Sequence, residues 1–183
     1  MERILTSQAL AVALAELAEQ VVSSCLDGPA VAVIGVRSRG DVLAQRLCNL
    51  LADKGLRVDH HGVLDITLYR DDLDTVGGQA RVRATEIDFD ITGTIIILVD
   101  DVIFTGRTAR AALDALTDLG RPKAIRLAVL LDRGGRELPI QPDFVGLKLP
   151  DATTHAQVYL KETDGEDKIV LRETRTDGQG HED

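Results

Sequence analysis

The stretch Ile95-Ile96-Ile97-Leu98-Val99-Asp100-Asp101-Val102-Ile103-Phe104-Thr105-Gly106-Arg107-Thr108 constrains the fold of this chain more than any other. Its five leading residues are β-branched or leucine. Such a run suits a strand covered on both faces, as in a parallel sheet flanked by helices. Ala109-Arg110-Ala111-Ala112-Leu113-Asp114-Ala115-Leu116 then continues as helix. Two carboxylates therefore stand at the carboxyl end of a strand, where ligands bind in open α/β sheets. Thr105-Gly106-Arg107-Thr108 adds two hydroxyls, a permissive backbone position and the free N–H groups of a helix start. Those groups suit a phosphate. The adjacent acids would repel a bare phosphate, so they call for a sugar diol or for Mg²⁺ on a diphosphate. A solvated acidic turn with a Thr cap accounts for any one of these residues, but poorly for all of them together. Neither Gly-x-x-x-x-Gly-Lys-Ser/Thr nor Gly-x-Gly-x-x-Gly occurs, which removes the triphosphate loop and the dinucleotide fingerprint.

Elsewhere the same strand–helix alternation recurs. Leu10, Leu14, Leu17 and Val21 repeat at helical spacing up to about Ser24. Residues 30–36 read as a buried strand that exits into the basic turn Arg37-Ser38-Arg39-Gly40. Residues 41–53 form the next helix, ended by Lys54-Gly55. Residues 57–69 read as a strand with Val58, His60, Gly62, Leu64, Ile66 and Leu68 on one face. His60 and His61 then point to opposite faces, a poor geometry for one metal. Residues 70–90 are polar, carry Gly77-Gly78, and have the length of a lid over a site; a surface insertion is the alternative. Residues 124–131 are a further buried strand that delivers Asp132 and Arg133 to the same edge as Arg37-Ser38-Arg39 and Asp100-Asp101. Short strands are expected near Phe144-Val145, 156–160 and 169–172, with a hairpin turn at 163–167.

The resulting expectation is an α/β fold with a mostly parallel central sheet flanked by helices and a small hood or lid at about 69–92. Residues 1–174 read as one domain and 175–183 as a flexible tail. The hydrophobic share of 44% supports a core built, at 3% aromatics, from Val, Leu, Ile and Ala. A net charge of −9 argues against a generally basic, nucleic-acid-coating surface. Cys25 and Cys48 read as core thiols of a reducing cytosol. With no secretory pattern and no apolar stretch near ~20 residues, the chain is expected in the cytoplasm and not in a membrane.

The opening stretch resembles the 5-phosphoribosyl-1-diphosphate (PRPP) signature of type I phosphoribosyltransferases. Asp65-Ile66-Thr67-Leu68-Tyr69-Arg70-Asp71-Asp72-Leu73, Leu119-Gly120-Arg121-Pro122 and Asp132-Arg133-Gly134-Gly135-Arg136-Glu137-Leu138-Pro139-Ile140 narrow the resemblance to the PyrR family. Its members are pyrimidine operon regulators with uracil phosphoribosyltransferase activity. The resemblance covers roughly residues 5–173 and implies the type I phosphoribosyltransferase fold. It also implies conversion of uracil and PRPP to UMP and diphosphate, in pyrimidine salvage, with Mg²⁺ accompanying PRPP.

Residue by residue, the resemblance gives Asp100, Asp101 and Arg39 the central catalytic roles. Val102, Phe104, Thr105, Gly106, Arg107 and Thr108, with Arg37, Ser38 and Arg39, would hold the phosphates of PRPP. Asp100 and Asp101 would take the ribose hydroxyls and Mg²⁺, directly or through water. Val102, Leu131, Asp132 and Arg133 would line the base, and Arg70 would close from the lid. Some phosphoribosyltransferases have a non-proline cis peptide in the loop matched by Arg37-Ser38-Arg39. Purine-specific relatives carry an acid at the position of Phe104, so a phenyl ring there argues for uracil.

PyrR relatives also bind messenger RNA leader hairpins under control of uridine nucleotides such as UMP and UTP, and they form dimers or higher assemblies. Here the sequence departs from the pattern. The first helix lacks a basic residue between Ala9 and Gln20 and carries Glu16 and Glu19. Gly135 stands where relatives have His, and Gln141 and Leu147 replace basic residues. Arg136 and Lys148 remain as RNA-binding candidates. The competing readings are a nucleotide-sensing or RNA-binding regulator with little catalysis, and a relative of altered base choice.

Overall fold

The computed structural model describes residues 2–71 and 84–173. In chain order the elements are β1 (Glu2–Leu5), α1 (Ser7–Cys25), β2 (Val31–Val36), α2 (Gly40–Asp53), β3 (Val58–Leu64), a 3-10 turn (Thr67–Tyr69), β4 (Ile95–Ile103), α3 (Arg107–Leu119), β5 (Ala124–Asp132), β6 (Phe144–Lys148), β7 (Thr154–Tyr159), α4 (Lys161–Asp164) and β8 (Lys168–Glu173). The central sheet has the order β3-β2-β4-β5-β6, and every pairing in it is parallel. A second sheet, β1-β8-β7, is antiparallel.

Alternation along the buried strands divides the core into two layers. Val31 and Val33 of β2 and Ile97 and Val99 of β4 pack with α1, α2 and the small sheet. Ile34, Val36, Ile96 and Leu98 pack on the other side against Ala111, Ala112 and Leu116 of α3. Cys25 and Cys48 are buried in the first layer, where burial pushes the Cys48 thiol up to about 11. None of the described helices is long and apolar enough to cross a membrane.

Register places the functional turns side by side. Gly35 of β2 lies beside Val99 of β4, so Arg37 follows at the level of the acidic pair. Close packing of α2 keeps it there: a Cβ on Gly40 would lie 2.6 Å from the Val99 carbonyl oxygen and 3.2 Å from Asp100 Cα. Only glycine permits that approach.

The structure corrects the sequence reading at several elements. The strand expected over 57–69 stops at Leu64, because the Asp65 carboxylate accepts the Thr67 N–H at 2.8 Å and the Thr67 hydroxyl at 2.5 Å. This side-chain turn replaces the ladder and leaves Leu68 69% exposed instead of on the buried face. His60 is exposed and stacks on Phe89 at 4.4 Å between ring centroids, while burial lowers the His61 pKa. β4 does not end at Val99: it continues to pair with β5 through Asp100↔Val129 and Val102↔Leu131. The acids are thus part of the strand's last residues. β1 was not expected, and a short helix fills the turn between β7 and β8. Residues 72–83, half of the expected lid, and 174–183, which include the expected tail, lie outside the described residues.

Candidate active site

Two adjoining cavities lie at the carboxyl end of the central sheet. The first, about 170 Å³, is lined by Val36, Arg37, Ser38, Arg39, Ile66, Arg70, Asp100, Asp101, Val102 and Thr108. The second, about 180 Å³, shares Asp100, Val102 and Thr108 and adds Ile103, Phe104, Thr105, Gly106, Ala109, Leu127 and Val129. Three sequence-distant turns thereby meet around one acidic pair.

Asp100 is only 8% exposed. Burial, and then the neighbouring Asp101 carboxylate, push its pKa well above the ordinary carboxylate range, with the charge of Arg70 acting the other way. Burial also raises Asp101, opposed by the Val102 N–H and by Arg39. The carboxylate oxygens accept two backbone N–H groups, Asp101 N–H to Asp100 at 2.9 Å and Val102 N–H to Asp101 at 2.8 Å. Two adjacent acids in this setting favour a ligand that brings hydrogen-bond donors or positive charge.

The loop after β4 reaches α3 through Gly106, whose φ is 92°. Thr105 and Gly106, with Thr108 and Ala109 of the first turn of α3, line the second cavity. The peptide Arg37–Ser38 is cis. Arg39 is held by Asp164 of the small sheet's turn, Nε donating at 3.2 Å and Nη2 at 2.9 Å. Arg37 donates to Glu86 at 2.8 Å.

The segment after β5 is bonded to the loop after β4. Arg133 N–H donates to the Ile103 carbonyl at 3.0 Å, and the Glu137 and Leu138 N–H groups donate to the Thr105 carbonyl at 3.0 and 3.1 Å. The Arg133 guanidinium lies 4.1 Å from the centroid of the Phe104 ring and donates to the Thr154 carbonyl at 2.8 Å. The ring's other neighbour is Gly135. A Cβ there would come within 2.4 Å of Phe104 Cε2 and 3.0 Å of Ala152 Cβ. Phe104 therefore occupies space that a side chain at 135 would need.

The phosphoribosyl transferase domain family matches residues 1–163. Curated relatives narrow this. The bifunctional protein PyrR of Pelotomaculum thermopropionicum is 47% identical over 173 residues, covering 94% of this chain and 96% of that protein. That of Thermus thermophilus is 51% identical over 162 residues, covering 88% and 90%. The chain belongs to the PyrR family. Among solved structures, a glutamine mutant from an analysis of an invariant aspartic acid in HPRTs superposes with a TM-score of 0.71 at 23% identity, covering 92% of this chain and 94% of that one. Trypanosoma cruzi hypoxanthine phosphoribosyl transferase gives 0.68 at 21%, covering 93% and 91%. At these identities the likeness is one of fold.

The residues picked out from sequence do not all reach the cavities. Arg37, Ser38, Arg39, Arg70, Asp100, Asp101, Val102, Phe104, Thr105, Gly106 and Thr108 line the two cavities. Arg107 lines neither; its half-exposed side chain pairs with Asp71 and Glu137. Leu131 is buried in the core layer under α1. Asp132 and Arg133 line neither cavity: the Arg133 guanidinium stacks on the Phe104 ring, and the Asp132 carboxylate accepts from Gly134 N–H and Arg136.

Arg136 is turned inward. Its guanidinium donates to the carbonyls of Ile140 at 3.0 Å, Phe104 at 2.9 Å and Gly134 at 3.1 Å, and to the Asp132 carboxylate at 2.7 Å. Lys148 is exposed and lines a separate, largely apolar groove of about 650 Å³ beside the start of α1. Asp164 and Glu86, the carboxylates that hold Arg39 and Arg37, carry no motif in the sequence; the first is 125 positions from its partner and the second 49.

Proposed function

We propose that this chain is a uracil phosphoribosyltransferase that converts uracil and PRPP to UMP and diphosphate. The observation that carries the proposal is the meeting of Arg37-Ser38-Arg39, Arg70, Asp100, Asp101 and Thr108 around one cavity. In this reading the N–H groups and hydroxyls from Phe104 to Thr108, including Thr105, Gly106 and Arg107, take the 5′-phosphate. The ribose 2′- and 3′-hydroxyls donate to Asp100 and Asp101. Arg39 and the backbone of Arg37 and Ser38 take the diphosphate, and Arg70 adds charge beside it.

No group of three or more potential metal ligands occurs among the described residues. The two carboxylates fit Mg²⁺ only as an ion shared with the oxygens of PRPP and water. Bound in that way, it offsets the charge of the departing diphosphate. The bond from ribose C1 to diphosphate breaks, its electron pair leaving with diphosphate, as the bond to uracil N1 forms, and the N1 proton passes to the oxygens of the departing diphosphate. The protein's own contribution is placement of charge and exclusion of water.

The base lies beside Val102 and Phe104, with the backbone of 131–133 and the Arg133 guanidinium behind the ring. Phe104 neither accepts nor donates a proton, which suits uracil, whose N1 proton is itself fairly acidic. The domain spans 1–174 with a hood or lid at about 69–92, and the protein works in the cytoplasm as a homo-oligomer.

Leader-RNA binding is weak in this reading. The exposed face of α1 presents Ala11, Val12, Ala15, Glu16 and Glu19, with no cation, and Arg136 is engaged within its own loop. The test is UMP formation from uracil, PRPP and Mg²⁺ with hypoxanthine as the control acceptor. Turnover on uracil alone supports the proposal; turnover on neither base, or on hypoxanthine in preference, rejects it.

A further inference from the structure

We infer that Asp164 is the positioning residue for Arg39 and presents the open edge of its guanidinium to the diphosphate of PRPP. The inference rests on the reading of the cavity proposed above. The pair meets fork to fork across 125 positions, through Nε at 3.2 Å and Nη2 at 2.9 Å. Two parallel bonds fix the plane of a guanidinium as well as its place. They occupy the Nε–Nη2 edge. Nη1 makes no hydrogen bond among the described residues. Arg39 lines the same cavity as Asp101, and its charge lowers the Asp101 pKa, whereas Asp164 does not line that cavity. One edge of Arg39 is therefore anchored behind the site and the other is available within it.

Asp164 is itself held from several sides. Its carboxylate accepts the Leu160 N–H at 2.9 Å, and its own N–H donates to the Leu160 carbonyl at 2.6 Å. The same turn is fastened to α2 by Arg46, which forks onto Glu162 and onto Asp167. Asp167 in turn accepts the Lys161 N–H at 2.7 Å. These ties do not involve Arg39, so the turn is an independent post against which the arginine is braced. Ordering Arg39 before the substrate arrives removes a cost that binding would otherwise meet. The opposite role is a latch, in which Asp164 competes with diphosphate for the same guanidinium. The separate Nη1 edge favours the brace.

Steady-state kinetics on Asp164→Asn separates these cases, because the amide oxygen still accepts the Leu160 N–H while the charged fork is lost. The expected result is a rise in KM for PRPP of about tenfold, the upper end of what immobilising one long side chain is worth. The accompanying kcat should stay within about twofold, the pattern of lost uniform binding. Inhibition by added diphosphate should weaken in parallel. In an Arg39→Met background the Asp164 substitution should change neither quantity. An unchanged or lowered KM in Asp164→Asn overturns the inference. So does an equal loss in the Arg39→Met background, which would mark a merely structural effect. If Asp164→Asn does not fold, Asp164→Ser is read the same way. If the unsubstituted chain forms no UMP, the functional proposal has failed; if it does and Asp164→Asn matches it, only the role of Asp164 has.

Discussion

Replacing Arg136 with Met should destabilise this protein far more than the loss of a surface cation. Four acceptors lose their donor at once: the carbonyls of Phe104, Gly134 and Ile140, and the Asp132 carboxylate. The side chains of Arg136 and Asp132 are only 11% and 12% exposed, so solvent cannot replace the lost bonds freely. Gly134 N–H still reaches Asp132 at 2.8 Å, which satisfies part of the stranded carboxylate but leaves its charge unpaired. Breaking a buried ion pair from one side typically costs about 3–5 kcal/mol. For a chain of this size that corresponds to a fall in Tm of roughly 6–20 °C. Arg136→Lys should recover a minority of it, because a single ammonium cannot fork to acceptors on three sides. Thermal unfolding followed by far-UV circular dichroism measures the difference directly. A Tm within about 2 °C of the parent, a shift worth no more than about 1 kcal/mol here, would refute the inward role.

Two further outcomes follow from the site. Asp100→Asn should stabilise the fold at neutral pH by about 0.5–2 kcal/mol while removing activity, the usual exchange at a strained functional position. The folded pKa of Asp100 is raised by burial, so the unfolded chain releases its proton first as pH rises. Parent stability therefore falls above pH ~4, and the advantage of Asn should vanish below that value in a pH series of unfolding curves. A gain that persists at pH 3 would contradict the assignment. Gly135→Ala should cost about 1–3 kcal/mol, because residue 135 sits at φ 69° and its Cβ would also press on Phe104, and Phe104→Ala in the same chain should recover only the packing part of that. Additive effects in the double-mutant cycle would mean that the ring and residue 135 do not compete for space.

What could be read from the sequence follows the physics of each element. β2, β4 and β5 were legible because a strand covered on both faces needs an unbroken apolar run. The acidic pair and the loop to Thr108 were legible because they are contiguous. β3 was read too long because Asp65 captures the Thr67 N–H, a local bond that periodicity does not register. β1 is four residues with little burial and gave no pattern to find. Arg136 read as an RNA-binding candidate because its partner Asp132, four residues away, ends β5 while Arg136 lies in the irregular segment after it, so no helix face pairs them. The braces on Arg39 and Arg37 come from Asp164 and Glu86, which the chain path alone does not bring close.

The central claim is that the cavity around Asp100 and Asp101 binds PRPP and transfers its ribose 5-phosphate to uracil. The direct measurement is PRPP- and Mg²⁺-dependent UMP formation by the parent protein and by Asp101→Asn, side by side, with matching circular dichroism spectra. The account predicts turnover by the parent and a loss of about 10²-fold or more in Asp101→Asn, the scale seen when one preorganised electrostatic group is removed. Equal rates in the two proteins would contradict it, as would a parent that forms no UMP while correctly folded.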